Sequence, residues 1–212
     1  HNALRKIAGS DLAIYLDDIL LASDNIDEHF DRLEQLFDAH IEAGLLLKPS
    51  KTKLFKSEIE FLGHIISHRG IETSPQHVSA ILNWKAPSTG KELSSFLGLA
   101  TYYSKFIPNF SQLCAPLHEL KTSEVIQEWP QKCLNNFEQL KSAFEGPLIR
   151  AAPRWQELKE NPFILTTDWS AQAMGYTLSQ VQDGEERLII AAGRKCTVGE
   201  SHYPSFKGEL AT

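Results

Sequence analysis

The stretch IYLDDILLAS, residues 14–23, places two adjacent aspartates, Asp17 and Asp18, between two short apolar runs. Residues 11–23 as a whole predict a strand, a tight turn and a second strand. Asp is common in turns, but the favoured two-residue hairpin turns carry Asn-Gly or Asp-Gly. Two adjacent carboxylates also repel each other unless a cation neutralises them. The pair therefore predicts either a plain acidic turn or a rigid pair of ligands for Mg²⁺, and the residues alone leave both open.

The composition of the chain is that of an ordinary soluble protein. Of its 212 residues, 42% are hydrophobic and 23% are charged, which is enough apolar material for a sizeable core. No apolar run is long enough to span a membrane, so we expect no membrane partner. The three cysteines are scattered and form no CxxC pair, which indicates neither a zinc site nor a disulfide framework and favours a reducing intracellular compartment. The stretch HNALRKIAGS, residues 1–10, contains no methionine and no apolar signal core, so we expect the sequence to begin partway through a longer chain.

Charge gives a mixed indication about nucleic acid. The net charge of −6 argues against a broad phosphate-binding surface. Four lysines nevertheless fall within nine residues around Phe55, namely Lys48, Lys51, Lys53 and Lys56. This segment is either a local nucleic-acid contact or a solvated lysine cluster near a turn.

The first two thirds of the chain alternate between helix and strand patterns. Asn25 with Glu28 three residues later is a capping box, and apolar residues at helical spacing predict a helix that ends near Gly44. Short strands are predicted at 45–47, 52–55 and 59–67, followed by a turn-rich boundary at 68–75. Further helices are predicted from Ser74 to Trp84, after a second capping box at Thr89 and Glu92, and over 133–146. We expect the second of them to bury a stripe made of Leu93, Phe96, Leu97, Ala100, Tyr103 and Ile107. Pro108 and Pro116 are expected to bracket its exit.

The last third predicts a new α/β unit. Residues 162–168, 173–181 and 186–193 read as strands, and the polar DGEE segment between the last two is typical of a hairpin turn. A helix is predicted from Ser205 to Thr212.

Several blocks of the chain resemble the reverse transcriptase–RNase H region of Gypsy-type LTR retrotransposon polyproteins. YLDD is similar to the Tyr-x-Asp-Asp motif of reverse transcriptases. Four further blocks follow in the family's order: the palm segment after the catalytic hairpin (44–55), the primer-grip hairpin (59–67), the thumb (92–122) and the first RNase H strands (162–180). Residues 201–211 resemble the helix that carries the second RNase H acid. A lone Tyr-x-Asp-Asp is weak, but collinear blocks over nearly the whole chain are specific.

The resemblance implies roles around the acidic hairpin. Asp17 and Asp18 would be two of the three polymerase carboxylates that hold Mg²⁺, with Mn²⁺ as an alternative. Tyr15 would lie near the incoming nucleotide or the primer end, although a strand aromatic in the core is an equal interpretation. Lys51 would protonate the pyrophosphate leaving group as a general acid, or it is a surface lysine. Lys48 and Lys53 would contact nucleic-acid phosphates.

The resemblance also implies a primer grip and an RNase H site. Phe61, Leu62, Gly63 and His64 would form the grip, where glycine suits a close approach of backbone to a nucleic-acid strand. His64 taken alone is more typical of a structural histidine, and Tyr102 and Tyr103 are more typical of helix packing in the thumb. Asp168 and Glu209 would be the first two RNase H metal ligands. Trp169 and Ser170 depart from the commoner Asp-Ala-Ser pattern, which leaves the local geometry of Asp168 open.

The expected fold is a multidomain α+β chain. It comprises the C-terminal part of a palm over 1–68, a helical thumb or connector over 69–135, and the N-terminal part of an RNase H-like domain over 136–212. The family's first palm aspartate would lie before His1 and its third RNase H carboxylate beyond Thr212. We therefore expect each active site to be incomplete in these residues, and the fragment to be inactive by itself.

The implied function is that of an RNA-directed DNA polymerase fused to RNase H. Its expected partners are an RNA template, a DNA primer, the RNA–DNA hybrid, deoxynucleoside triphosphates and the other polyprotein domains, in a cytoplasmic particle or the nucleus. One alternative is a degenerate or co-opted remnant that binds nucleic acid or protein without chemistry. A second alternative is an unrelated α/β protein with accidental matches.

Overall fold

The computed structural model describes residues 12–146, 148–204, 207, 208 and 211. The chain divides into two compact units, residues 1–56 and 57–212. The domain boundaries predicted at 68/69 and 135/136 stay a prediction.

The first unit opens with an antiparallel hairpin. Strand β1, Leu12–Tyr15, pairs with strand β2, Asp18–Leu21, so that Leu12 lies opposite Leu21 and Tyr15 opposite Asp18. Leu16 and Asp17 form the two-residue turn between the strands. The strand–turn–strand prediction is confirmed, and it places the aspartate pair at the tip of the hairpin.

Helix α1, Ile26–Glu42, has the two ends that its sequence predicts. The Asn25 side chain accepts a hydrogen bond from the Glu28 N–H at 2.9 Å. At the other end Gly44 takes φ +66°, the Gly44 N–H donates to the Ile41 carbonyl and the Leu45 N–H donates to the His40 carbonyl. These two bonds form a Schellman motif, which satisfies carbonyls that the last turn leaves open.

Helix α1 buries only a narrow stripe of the first unit. Leu33, Leu36 and His40 are buried, whereas Phe30 is 56% and Ile41 is 76% exposed. The segment after α1 does not form the strands predicted at 45–47 and 52–55. It is irregular except for a 3₁₀ turn, Pro49–Lys51. Apolar content misled the prediction here, because no strand within the described residues lies beside this segment to pair with it.

The second unit contains a four-stranded antiparallel sheet in the order β3-β4-β5-β6. Its strands are β3, Glu58–Phe61, β4, His64–Ser67, β5, Gly70–Thr73, and β6, Ile149–Arg150. Half of the predicted turn-rich boundary at 68–75, residues 70–73, is therefore a strand. Gly70, at φ +121°, explains the difference: a Cβ there would lie 2.2 Å from the Arg150 carbonyl oxygen, so only glycine allows β6 to approach β5.

Four helices follow β5: α2, Pro75–Leu82, α3, Gly90–Tyr102, α4, Phe110–Glu119, and α5, Gln131–Ser142. The capping box of α3 is confirmed, since Thr89 Oγ1 accepts from the Glu92 N–H and Glu92 Oε2 accepts from the Ser88 N–H. Helix α4 lies where the sequence predicts only an exit from α3 between Pro108 and Pro116. Pro116 in fact lies inside the helix and is buried.

The helices enclose the main core of the molecule. All six residues of the predicted α3 stripe are buried, although the helix itself ends at Tyr102 and Tyr103 and Ile107 follow it. Phe96 packs between Trp84 and Phe137, with ring centroids 5.8 and 4.8 Å away. Within the described residues, no helix is both long and apolar enough to cross a membrane.

The predicted meander of the last third is confirmed. Strands β7, Phe163–Trp169, β8, Ala173–Gln182, and β9, Glu185–Lys195, form an antiparallel sheet. Asp183 and Gly184 make the turn between β8 and β9 at positive φ. Helix α4 lies against β8 and β9. Of the predicted C-terminal helix, Lys207, Gly208 and Ala211 are helical, and the remaining positions fall outside the described residues.

Candidate active sites and nucleic-acid interface

The acidic hairpin presents its polar groups to solvent. Leu16 takes φ +52° at the first turn position, a left-handed conformation that side chains other than glycine, Asn and Asp rarely adopt. Asp17 and Asp18 are both exposed, and no described cationic side chain forms an ion pair with either of them. Tyr15 is 55% exposed. The tip is therefore open to a ligand from outside.

The two carboxylates fit a hard cation by their chemistry. Mg²⁺ prefers oxygen ligands and usually takes one or two protein carboxylates, completing its shell with water and phosphate oxygens. Among the described residues, no group of three or more His, Cys, Asp or Glu side chains is arranged to hold a metal. Asp17 and Asp18 thus offer two carboxylate ligands on one turn. The other coordination positions of such an ion would be left to water and phosphate oxygens.

The lysine segment is fixed by one aromatic residue. Phe55, at φ +53°, packs against His29 and Phe30 of α1, with ring centroids 5.4 and 5.2 Å away. Lys48, Lys51 and Lys53 are exposed, and the described residues supply no carboxylate in contact with them. Their charges are available to phosphates, and nothing in this geometry singles out Lys51 as a proton donor.

The β3–β4 turn is held much more firmly than the acidic one. Leu62 and Gly63 occupy the turn at φ +50° and +72°, the pattern of a type I′ hairpin. The Tyr102 hydroxyl donates to the Leu62 carbonyl, and the Tyr103 hydroxyl donates to the Gly63 carbonyl at 2.9 Å. The Ser74 N–H donates to the same Gly63 oxygen at 3.1 Å. Both tyrosines, expected only to pack, thus also bind the turn.

His64 lies in an aromatic cluster beside this turn. Its ring stacks on Tyr102 and Phe106 at 5.1 and 5.6 Å and meets Tyr103 edge-on at 5.5 Å. Burial, and then the positive charge of Arg150, lowers the pKa of His64 below its usual value. His64 is therefore neutral at physiological pH, and its surroundings are those of a packed structural histidine.

Asp168 lies near the end of β7, opposite Gly175 of β8. Gln112 Nε2 of α4 donates a hydrogen bond to Asp168 Oδ2 at 3.1 Å. Gln112 was not predicted, since it is 56 residues away in sequence and no local pattern connects the two. The Trp169 indole ring lies close to Gly208: a Cβ on Gly208 would be only 2.2 Å from the ring. The predicted ligand Glu209 lies outside the described residues.

The structure thus groups some of the predicted residues. In the first unit Tyr15, Asp17 and Asp18 share one hairpin tip. In the second unit Phe61 and His64 flank the turn of another hairpin, while Asp168 lies on a different sheet. The roles assigned to these residues stay predictions.

Two known families match separate parts of the chain. Residues 1–66 match the reverse transcriptase (RNA-dependent DNA polymerase) family, and residues 129–212 match the RNase H-like domain found in reverse transcriptase. The chain is 36% identical over 211 residues to the retrovirus-related Pol polyprotein from transposon 297 of Drosophila melanogaster, and 30% identical over 222 residues to that from transposon gypsy. Each match covers 99% of the chain. The chain belongs to the reverse transcriptase–RNase H family of retrotransposon Pol polyproteins.

Solved structures agree with this assignment. A foamy viral protease-reverse transcriptase (dRH) in complex with double-stranded DNA superposes with a TM-score of 0.80 at 26% identity, covering 100% of this chain and 36% of that one. The foamy viral enzyme in complex with an RNA/DNA hybrid gives a TM-score of 0.76 at 26% identity, over 99% of this chain and 28% of that one. The α+β fold class with palm, thumb and RNase H-like elements is confirmed.

The reverse transcriptase resemblance drawn from these sequence blocks is likewise confirmed. The chain spans about a fifth of the length of the curated polyproteins, 19% for transposon 297 and 21% for gypsy. Statements about activity, substrates and partners therefore concern a longer protein and are proposals.

Proposed function

We propose that these residues are part of an RNA-directed DNA polymerase with a fused RNase H, active in the polyprotein that contains them. The observation that carries this proposal is the Asp17–Asp18 pair, exposed on a two-residue hairpin turn inside the region that matches reverse transcriptase. An ordinary surface turn would not need two adjacent like charges at a strained tip. The reaction proposed is transfer of a nucleotide onto a primer 3′-hydroxyl.

In the polymerase site Asp17 and Asp18 would hold Mg²⁺ or Mn²⁺. A divalent ion in such a site lowers the pKa of the attacking hydroxyl and stabilises the charge that develops on the phosphate. The turn keeps the two carboxylates on one rigid element, so that little reorganisation is needed when substrate binds. Tyr15 would contact the nucleotide or the primer end, and Lys51 would supply a proton to the leaving pyrophosphate.

In the RNase H site Asp168 and Glu209 would hold a divalent ion near the RNA strand of a hybrid. The Gln112 hydrogen bond occupies Asp168 Oδ2 and fixes the carboxylate plane. No hydrogen bond from a described residue reaches the second oxygen, Oδ1, which leaves it available as a ligand. Two RNase H carboxylates beyond those of the polymerase would give the protein two separate phosphoryl-transfer sites.

The proposed partners follow from phosphate chemistry. Exposed lysines at 48, 51 and 53 would bind the backbone of template and primer without reading sequence, so the affinity should fall with rising salt. The substrates would be deoxynucleoside triphosphates and an RNA–DNA hybrid. We propose an intracellular location for the polyprotein, in a particle or the nucleus, in keeping with its retrotransposon relatives.

The test uses the polyprotein region that encloses this chain. We expect it to extend a DNA primer on an RNA template and to cut the RNA of a hybrid. Asp17→Asn should abolish extension and spare cleavage, and Asp168→Asn should do the reverse. If either single change removes both activities from a folded protein, two separate sites do not exist.

A second candidate is a degenerate or co-opted module that binds nucleic acid or protein without chemistry, since the net charge of −6 argues against a broad phosphate-binding surface. Such a module would bind primer–template duplex with unchanged affinity after Asp17→Asn and Asp18→Asn, and the enclosing region would show neither activity. Failure to bind any duplex at low salt would eliminate it.

A further inference from the structure

The turn of the β3–β4 hairpin has its carbonyl groups fully engaged by the helical part of the same unit. Three donors reach two oxygens: Tyr102 hydroxyl to Leu62, and Tyr103 hydroxyl and Ser74 N–H to Gly63. Both tyrosines are 40 residues away along the chain, at the end of α3. A hairpin turn on a protein surface ordinarily leaves such carbonyls to water. Here the Tyr102 and Tyr103 side chains fix the direction in which the two carbonyl groups point.

The donor state of Tyr103 is itself fixed. Burial raises its pKa to about 12, so the hydroxyl keeps its proton at any physiological pH. That single proton goes to the Gly63 oxygen, and His77 Nδ1 lies within hydrogen-bond distance of the same hydroxyl. Since the phenol has only one proton and the Gly63 oxygen accepts it, His77 Nδ1 donates to the Tyr103 oxygen. The chain of bonds from His77 through Tyr103 to the turn therefore runs in one direction.

The turn also stores a strained residue. Leu62 takes φ +50°, a left-handed conformation that brings the Cβ of a side-chain-bearing residue too close to the following carbonyl oxygen. Strained residues of this kind persist only where neighbouring contacts over-determine them, and they concentrate at functional sites. Gly63 is restricted as well, because a Cβ there would lie 2.8 Å from His77 and 3.3 Å from the Tyr103 hydroxyl. The packing thus selects both the residue and the conformation at each turn position.

The aromatic rings make the connection rigid. Tyr102 is 49% exposed, yet its ring stacks on His64 with an interplanar angle of 15°. Tyr103 is fully buried and reaches Phe144 and Phe106 in the helical core. One tyrosine therefore faces solvent beside the turn, and the other ties the turn to the core.

We propose that Tyr102 and Tyr103 are positioning residues that hold the Leu62–Gly63 turn against the primer strand, so that the thumb sets where the primer 3′ end lies. This inference rests on the proposed polymerase function and on the primer-grip role that the family resemblance implies for Phe61, Leu62, Gly63 and His64. The tyrosines do not touch the reacting atoms. Their hydroxyls fix the turn backbone, and the turn in its place limits the movement of the primer terminus.

The experiment compares hydroxyl deletions in the enclosing polyprotein region. The variants are Tyr102→Phe, Tyr103→Phe and the double variant, each of which keeps the ring and its packing. Thr101→Val is the matched control, because Thr101 Oγ1 donates to the Leu97 carbonyl within the same helix and does not reach the turn. A fluorescent base at the primer 3′ end reports its position, anisotropy of the duplex reports affinity, and single-nucleotide extension reports kcat and KM.

We expect the double variant to keep duplex affinity within about twofold, because phosphate contacts supply it. Its kcat for extension should fall about tenfold with little change in nucleotide KM, each lost bond contributing a few-fold. The fluorescence shift of the primer-end base should shrink in parallel, and Thr101→Val should leave both unchanged.

Three outcomes would overturn the inference. One is unchanged end fluorescence in the double variant, and another is an equal effect of Thr101→Val. The third is a parallel loss of melting temperature, extension and RNA cleavage, which would indicate a merely structural role. If the unaltered protein binds duplex but extends no primer, the polymerase proposal fails, and the end-fluorescence comparison still decides the role of the tyrosines.

Discussion

The β1–β2 and β3–β4 hairpins are built alike up to their turns. Each joins two strands of four residues through a two-residue turn, and each begins its turn with a leucine near φ +50°. The second turn is bound through both carbonyls and packed against aromatic rings, whereas in the described residues no side chain hydrogen-bonds to Leu16 or Asp17. The two turns differ at their second position, where Gly63 has positive φ and Asp17 does not, and one tip is open while the other is closed.

The difference indicates what each tip is suited to bind. An open tip with two carboxylates is suited to a cation whose other coordination positions are filled by phosphate oxygens. The surroundings of such a tip must stay accessible. A closed tip has its own polar groups satisfied and offers a shaped surface of fixed position.

The strongest way to break this comparison is to neutralise the open tip. Asp17→Asn or Asp18→Asn in the enclosing polyprotein region should reduce primer extension by at least about a hundredfold, because metal ligands are lost. RNA cleavage measured in the same preparation should persist. Asp24→Asn, an exposed acid beside the hairpin, is the matched control and should extend normally. Equal losses from Asp24→Asn would show that general charge, and not the tip, matters.

The closed tip can be tested with a pair of glycines. Gly63 and Gly44 both have positive φ, at +72° and +66°, but only Gly63 has neighbours within 4 Å of a Cβ. Gly63→Ala should therefore cost about 3 kcal/mol of unfolding free energy, combining backbone strain and overpacking, while Gly44→Ala should cost about 1 kcal/mol. Hydrogen exchange of amides in the unit that holds each residue gives the two values. Similar costs would mean that the closed tip adjusts freely.

Helix caps sharpen the comparison by testing features that the two units share. Asn25 caps α1 in the first unit and Thr89 caps α3 in the second. Replacing either with Ala should lower the local unfolding free energy by about 1 kcal/mol, since one N–H loses its acceptor. Asn25→Asp and Thr89→Ser keep an acceptor and should retain most of the stability. A cap that tolerates Ala without loss would contradict the hydrogen bond described for it.

The smallest effect expected is the pH response of the closed tip. The folded pKa of His64 is lowered by burial and by Arg150, so the unfolded chain binds a proton more readily than the folded one. The contribution of His64 is therefore complete above about pH 6.5, the unfolded pKa, and is lost as pH falls from there through the folded pKa.

His64→Phe should remove this part of the pH dependence when unfolding of the second unit is followed between neutral and mildly acid pH. His118, whose pKa is lowered by burial and by Lys121 and Lys195, provides the comparison. His118→Asn should keep the contribution from His64. A pH profile that is identical with and without His64 would rule out this assignment.

Features with local signals could be predicted from the sequence. Capping boxes, the six-residue stripe of α3, the acidic hairpin and the β7–β9 meander depend on residues a few positions apart, and all are found. Local apolar content did not predict the strands correctly, because strand formation depends on pairing with a neighbouring strand. Residues 45–47 and 52–55 form no strand, whereas Gly70–Thr73 does. Pro116 indicates a helix end by its local chemistry, but tertiary packing retains it inside α4.

Contacts between distant residues could not be predicted at all. The carbonyls of the β3–β4 turn meet donors 40 residues away, and Asp168 meets Gln112 at a separation of 56. The family resemblance predicts roles for Asp17, Asp18 and Asp168, but it does not indicate that Gln112 would bind Asp168. Only the packing of the helices against both sheets brings those neighbours into place.

The two-residue strand β6 has a consequence for any shortened form of the protein. Ile149 and Arg150 pair with β5, while the Ala151 N–H and Arg150 Nε donate to carbonyls of β9 at 2.7 and 2.9 Å. A chain that stops before Leu148 would turn β5 into a bare edge, with unpaired N–H and C=O groups available to another copy. Such a truncation should self-associate in sedimentation experiments even though every helix of the thumb is present. The smallest piece that contains a well-behaved thumb therefore includes a strand that lies beyond it in sequence.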